Sequence, residues 1–163
     1  MLKVILASKS KVRKDILNNN NIQCSVEPAN IDEDSIKSSL TKEGAFPEMI
    51  SKNLAELKAN KISQKKNEEI VIGADSVIDL NGKIISKPSS REEAMEILKK
   101  LNGKKHQLIS SVCISKNGSM IWNYTDKAEL IMKQMNDNEL KSYLSKIKDE
   151  DLYAYNVYQI EGI

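Results

Sequence analysis

Apolar and polar positions run along this chain on two periods, and the places where the period changes mark its elements. Residues 2–7 (LKVILA) are an apolar run interrupted by Lys3 and read as a buried strand. Residues 11–19 read as a helix, and 22–28 as a strand ending at Pro28. The stretch Asn30–Thr41 (NIDEDSIKSSLT) is polar and unpatterned, which reads as an acidic loop. Pro47 suits the first turn of a helix reaching about Lys61, with Ile50, Leu54, Leu57 and Lys61 along one stripe and Lys58 at its border.

EIVIGADSVIDL follows, an apolar strand broken by Gly73 and resumed as SVIDL. Asn81–Gly82, between VIDL and KIIS, predicts a tight hairpin. Ser90-Arg91-Glu92-Glu93 has capping-box spacing and opens a helix with Ala94, Ile97, Leu98 and Leu101 on its core face, which Gly103 can end. Strands over about 106–115 and 120–132 flank the turn Lys116-Asn117-Gly118-Ser119, and a last helix over about 137–147 starts after Asn136. Strands, helices and hairpins in this mixture predict an α/β domain with a mixed sheet.

Composition narrows the class. The 163 residues, 40% hydrophobic and 29% charged, suffice for one domain that folds alone. With 1 Trp and 1 Phe, the core must be built from aliphatic side chains. The 25 basic and 23 acidic residues are spread along the chain, so no basic field for nucleic acid is expected. No run has the length of a signal or a membrane span, and the expectation is a cytoplasmic protein without membrane attachment. Cys24 and Cys113 sit singly in strand-like segments and read as buried free thiols, and the single His106 excludes a His-rich zinc site.

Candidate chemistry lies at the breaks in the pattern. In LASKSKVRKDIL a strand feeds a helix through a serine-rich turn, where N–H groups, the hydroxyls of Ser8 and Ser10, and Arg13 suit an anion such as phosphate; Ser10 serves equally as a helix cap. Asp75, after an apolar strand and a glycine, is the kind of carboxylate that holds a divalent cation or takes a proton from water, or else caps a turn. Lys87 is aimed by the following Pro88, or is a plain loop lysine. With Lys58 and Arg13 it would complete a cationic set for a polyphosphate, and Glu33 and Asp32 would supply further metal ligands. No P-loop or Rossmann glycine pattern is present. His106 reads as a hydrogen-bonded structural residue.

These features occur in a fixed order. LASKSKVR, LAELKA at 54–59, GADSVI at 73–78, SKPSSREEAMEILKKLNGKKHQLISSV at 86–112 and YQIEG at 158–162 together resemble the Maf family of nucleoside triphosphate pyrophosphatases, from Leu6 to Gly162. The resemblance implies an elongated mixed sheet with flanking helices and a cleft between two lobes, as in the inosine triphosphate pyrophosphatases, often assembled as a homodimer. It implies hydrolysis of a nucleoside triphosphate to monophosphate and diphosphate with a divalent cation, Mg or Mn. It makes Asp75 the catalytic acidic residue, as base for water or metal-bound partner, has Ser8, Ser10, Arg13, Lys58 and Lys87 bind substrate, and gives Glu33 and Asp75 to the metal. An ionised Asp75 of low pKa beside Lys58 and Lys87 would suit both metal and water.

Val12, Ser76 and Glu161 depart from the family at positions tied to base choice; Glu161 leans toward 7-methylguanosine triphosphate, and the base stays open. The resemblance also admits a non-enzymatic regulator of cell division. Family members continue past YQIEG with a helix and strand. On that reading residues 1–163 are a single Maf-like domain cut short at its C-terminus, of lowered stability and activity.

Overall fold

In the computed structural model, which describes residues 2–159, the elements follow the predicted alternation. They are β1 (Val4–Leu6), α1 (Lys11–Asn19), β2 (Cys24–Val26), α2 (Glu33–Lys42), α3 (Pro47–Ser63), β3 (Ile70–Leu80), β4 (Lys83–Ile85), α4 (Arg91–Leu101), β5 (Lys105–Lys116), β6 (Ser119–Ile131), α5 (Asp137–Ser145) and α6 (Asp149–Tyr155). Six strands form one sheet in the order β2-β1-β3-β5-β6, with β4 paired to β3. The sheet is mixed as expected: β1 pairs in parallel with β2 and β3, whereas β3 and β4 are antiparallel, with Ile78 opposite Ile85. The Asn-Gly pairs at 81–82 and 117–118 turn the chain between strands. Asn81 and Gly82 have φ of 53° and 82°, and Asn117 and Gly118 have 51° and 83°, the left-handed values a two-residue hairpin turn requires.

Several sequence expectations change. Residues 30–41 are not a loop: Asp32 caps α2, its Oδ1 accepting from the Ser35 N–H at 3.1 Å, with Glu33 and Asp34 in the first turn and Lys42 in the last. That charge order suits the helix dipole, but α2 has no buried residue, so no apolar stripe advertises it. Nor does Gly73 break the strand, because β3 runs unbroken for 11 residues. The stripe of α3 is rotated from the expected one: Leu57 is 44% exposed, while Ile50, Ser51, Leu54, Ala55, Lys58, Ala59 and Ile62 are buried, with Lys58 within the stripe. The helix α6 was not anticipated, and Cys24 is only half-buried whereas Cys113 is buried. The first two strands are shorter than the apolar runs that signalled them.

The chain divides into two compact units, 1–77 with 109–127 and 78–108 with 128–163. In the first, Ile5, Ala7, Ala29, Ala55, Ala59, Ile62, Val71 and Cys113 form the core. Small side chains let α3 lie close on the sheet: a Cβ at Gly73 would fall on the Ala55 carbonyl oxygen and 2.7 Å from the Ala59 nitrogen. In the second, α4 presents Ala94, Ile97, Leu98 and Leu101, as predicted, to Leu140, Leu144, Leu152 and Val157. Ser90 caps α4 through the Glu93 N–H at 3.1 Å, but the Glu93 carboxylate reaches back to Ser89 rather than to Ser90, so the box is half formed. Arg91 ties α4 to the carbonyls of Leu144 and Ile147 and to Asp149. Among the described residues no helix is long and apolar enough to cross a membrane.

Candidate functional site

The close approach of α3 to β3 brings a lysine onto a carboxylate. Lys58, one turn beyond Ala55, directs its ammonium to Asp75 Oδ1 at 3.0 Å, to the Ala74 carbonyl at 3.2 Å and to Glu33 Oε1 at 2.7 Å. These three acceptors match the three N–H donors of an ammonium. Asp75 is 3% exposed, and its Oδ2 is buried without a protein partner. Ser51, two turns before Lys58 on the same face of α3, donates to the backbone carbonyl of Asp75 at 3.2 Å and fixes the main chain there.

Burial, the largest influence, raises the Asp75 pKa above its ordinary 3.8; Lys58 and then Lys37 pull against it without prevailing. The expectation of a low pKa is therefore corrected: the group loses more by leaving water than the ammoniums return. A carboxylate raised in this way is a better proton acceptor than an ordinary one once ionised.

The serine-rich turn after β1 meets the same place. Arg13 Nη1 donates to Ser8 Oγ and to the Ala74 carbonyl, both at 3.0 Å, so Ala74 oxygen receives both Arg13 and Lys58. Ser8 is buried and also accepts from the Ser10 N–H at 3.2 Å. Ser10 takes the capping role, its Oγ accepting from the Arg13 N–H at 3.3 Å. Val12 is half-buried on α1. Ser76 is exposed, with its hydroxyl 3.0 Å from that of Ser110.

Ser8, Arg13, Glu33, Lys58 and Asp75 are thus linked through hydrogen bonds within the first unit. Lys87, exposed before the buried Pro88, belongs to the second unit. Asp32 is occupied as a cap, and Glu161 lies outside the described residues. His106 is buried, its Nε2 2.9 Å from the Tyr158 hydroxyl, and burial lowers its pKa while raising that of Tyr158 to about 12. Sequence reasoning missed Ser51 and the Ala74 carbonyl. A serine inside an otherwise apolar helical stripe was the available signal for the first; a backbone acceptor leaves none.

Among the described residues no three or more His, Cys, Asp or Glu converge as a metal cluster. The site offers a pair instead, Asp75 and Glu33, joined through Lys58. A magnesium-like ion uses one or two carboxylates and completes its shell from substrate oxygens and water, so the pair and the unpartnered Asp75 Oδ2 fit such an ion.

Comparison with known proteins follows the same lines. A family model described as "Maf-like protein" matches residues 3–163. A nucleoside triphosphate pyrophosphatase of Pelagibacter ubique is 75% identical over 159 residues, which are 98% of this chain and 82% of that protein. A 7-methyl-GTP pyrophosphatase of Brucella abortus is 35% identical over 161 residues, 99% of this chain and 81% of that protein. A HAM1 protein structure from Coxiella burnetii shares the fold, with a TM-score of 0.52 at 13% identity over 79% of this chain and 71% of that one.

Proposed function

The chain belongs to the Maf-like protein family, and from that premise we propose that it is a nucleoside triphosphate pyrophosphatase, releasing a nucleoside monophosphate and diphosphate. One observation carries the chemical assignment: a buried carboxylate, Asp75, anchored at Oδ1 by Lys58 and left at Oδ2 with no protein partner. Oδ2 accepts a proton from the attacking water, and the raised pKa strengthens it as a base. Attack at the α-phosphorus gathers negative charge on phosphoryl oxygens, which needs positioned cations more than covalent chemistry. Lys58 and Arg13, gathered on the Ala74 carbonyl, supply fixed positive charge, and Ser8 orients the guanidinium.

Asp75 and Glu33 would hold a divalent cation, Mg or Mn, which when bound polarises phosphoryl oxygens and offsets their charge. Ser10 acts through the cap that fixes the start of α1. Val12, Ser76 and Glu161 bear on the choice of base.

The test is a product analysis across nucleoside triphosphates, including 7-methyl-GTP, with Mg or Mn. Equal amounts of monophosphate and diphosphate are expected. Release of orthophosphate and a diphosphonucleoside, or no turnover of any nucleotide, would contradict the reading.

A further inference from the structure

Lys37 is a lysine on an otherwise shallow helix, yet its side chain is only 12% exposed. Its ammonium lies 4.0 Å from Glu33 Oε2, while the other oxygen of the same carboxylate sits 2.7 Å from Lys58. One carboxylate is therefore held between two ammoniums, one on each oxygen. An ordinary i,i+4 pair on an exposed helix face keeps both side chains in solvent, and this one does not. Lys58 is less exposed still, at 7%, and its donors already serve Asp75, Ala74 and Glu33. Of the three acceptors, Glu33 belongs to a side chain that is 34% exposed, against 4% for Asp75, while Ala74 offers main chain. An anion arriving from solvent reaches Lys58 by taking the position of Glu33, and that position also faces Lys37.

We propose that Lys37 is a further phosphate-binding residue of this site, and that Glu33 occupies the place of a phosphoryl group between Lys37 and Lys58 until a polyphosphate displaces it. The inference rests on the reading of the site as one for nucleoside triphosphates. Replacement keeps both ammoniums paired: one anion facing Lys37 and Lys58 gives way to another, so the lysines are never left as unpaired buried charges. The displaced carboxylate would be available to hold, with Asp75, the divalent cation that accompanies a polyphosphate. The charge of Lys37 is also felt at Asp75, which agrees with its being directed toward the site.

The experiment is a calorimetric titration with inorganic diphosphate in the presence of a chelator, so that neither turnover nor metal enters. Lys37→Gln, which keeps the packed stem, should weaken diphosphate binding about tenfold, the loss of one charge-assisted contact, and Lys37→Arg should restore most of it. Glu33→Gln should bind diphosphate several-fold more tightly than the natural chain, because the competing carboxylate is gone. That gain should shrink in the double variant with Lys37→Gln. Unchanged binding in Lys37→Gln at an unchanged thermal midpoint, no gain in Glu33→Gln, or no diphosphate binding by either the natural chain or Glu33→Gln, would each overturn the proposal. Should nucleotides be hydrolysed while Lys37→Gln titrates like the natural chain, the inference alone fails. A shifted titration without hydrolysis of any nucleotide would instead leave Lys37 an anion ligand and remove the pyrophosphatase reading.

Discussion

Asp75 and Lys58 illustrate why a buried ion pair is weak as a device of stability. Both side chains leave water, at 4% and 7% exposure, and the raised pKa of Asp75 records that the carboxylate is less comfortable ionised in the fold than in the unfolded chain. The sign follows directly. A carboxylate whose folded pKa lies above its unfolded value binds its proton more tightly in the fold, so stability falls as pH rises through the interval between the two values. Asp75→Asn keeps the shape and an acceptor for Lys58 but removes that cost. We predict a thermal midpoint for Asp75→Asn at neutral pH no lower than that of the natural chain. Any advantage should vanish below the ordinary carboxylate value of 3.8, and turnover should fall by several orders of magnitude. In the natural chain, activity should rise with pH along a limb set above that ordinary value. Melting curves and rate profiles across pH check both, and a marked destabilisation with retained turnover would reverse the assignment of Asp75.

At the scale of elements, the site depends on how closely α3 lies against β3. Gly73 sets that spacing, since a Cβ there would strike the backbone of Ala55 and Ala59, which cannot swing aside as the end of a flexible side chain can. Gly73→Ala should cost about 1–3 kcal/mol of stability and push α3 outward, lengthening the 3.0 Å contact between Lys58 and Asp75. Thermal melts should report the first effect and turnover the second. Full stability with full turnover would show that α3 has room. The same glycine explains where the pattern was misread: a gap in hydrophobicity marks a break or a close approach equally well, and only the partner helix decides. The rotation of α3 has a similar origin. Leu57 is more apolar than Lys58, so a hydropathy stripe favours it, but the acceptors that make Lys58 worth burying come from Asp75, Ala74 and Glu33, distant along the chain. Helix α2 escaped because none of its residues is fully buried, so no continuous apolar stripe marks it. By contrast α4, with a cap and a regular apolar face, and the Asn-Gly hairpin turn after β3 were legible from local sequence alone. Of the candidate site, Ser8, Arg13, Lys58 and Asp75 were singled out through their motifs and Glu33 through the acidic stretch around it, and the structure added their mutual arrangement.

At the scale of the whole molecule, a chain of formal charge +2 places positive groups where they are useful rather than spreading a basic field. The first unit gathers Arg13, Lys37 and Lys58 around Asp75 and Glu33, a balance that leaves little charge to offset a polyphosphate and agrees with the proposed divalent cation. The central claim is that this unit directs water, through Asp75, onto the α-phosphorus of a nucleoside triphosphate. Hydrolysis in water labelled with heavy oxygen, followed by mass analysis of both products, tests it most directly. The account predicts the label in the nucleoside monophosphate, with the Asp75→Asn chain producing almost none; label in the diphosphate or in orthophosphate, or undiminished labelling by Asp75→Asn, would contradict it.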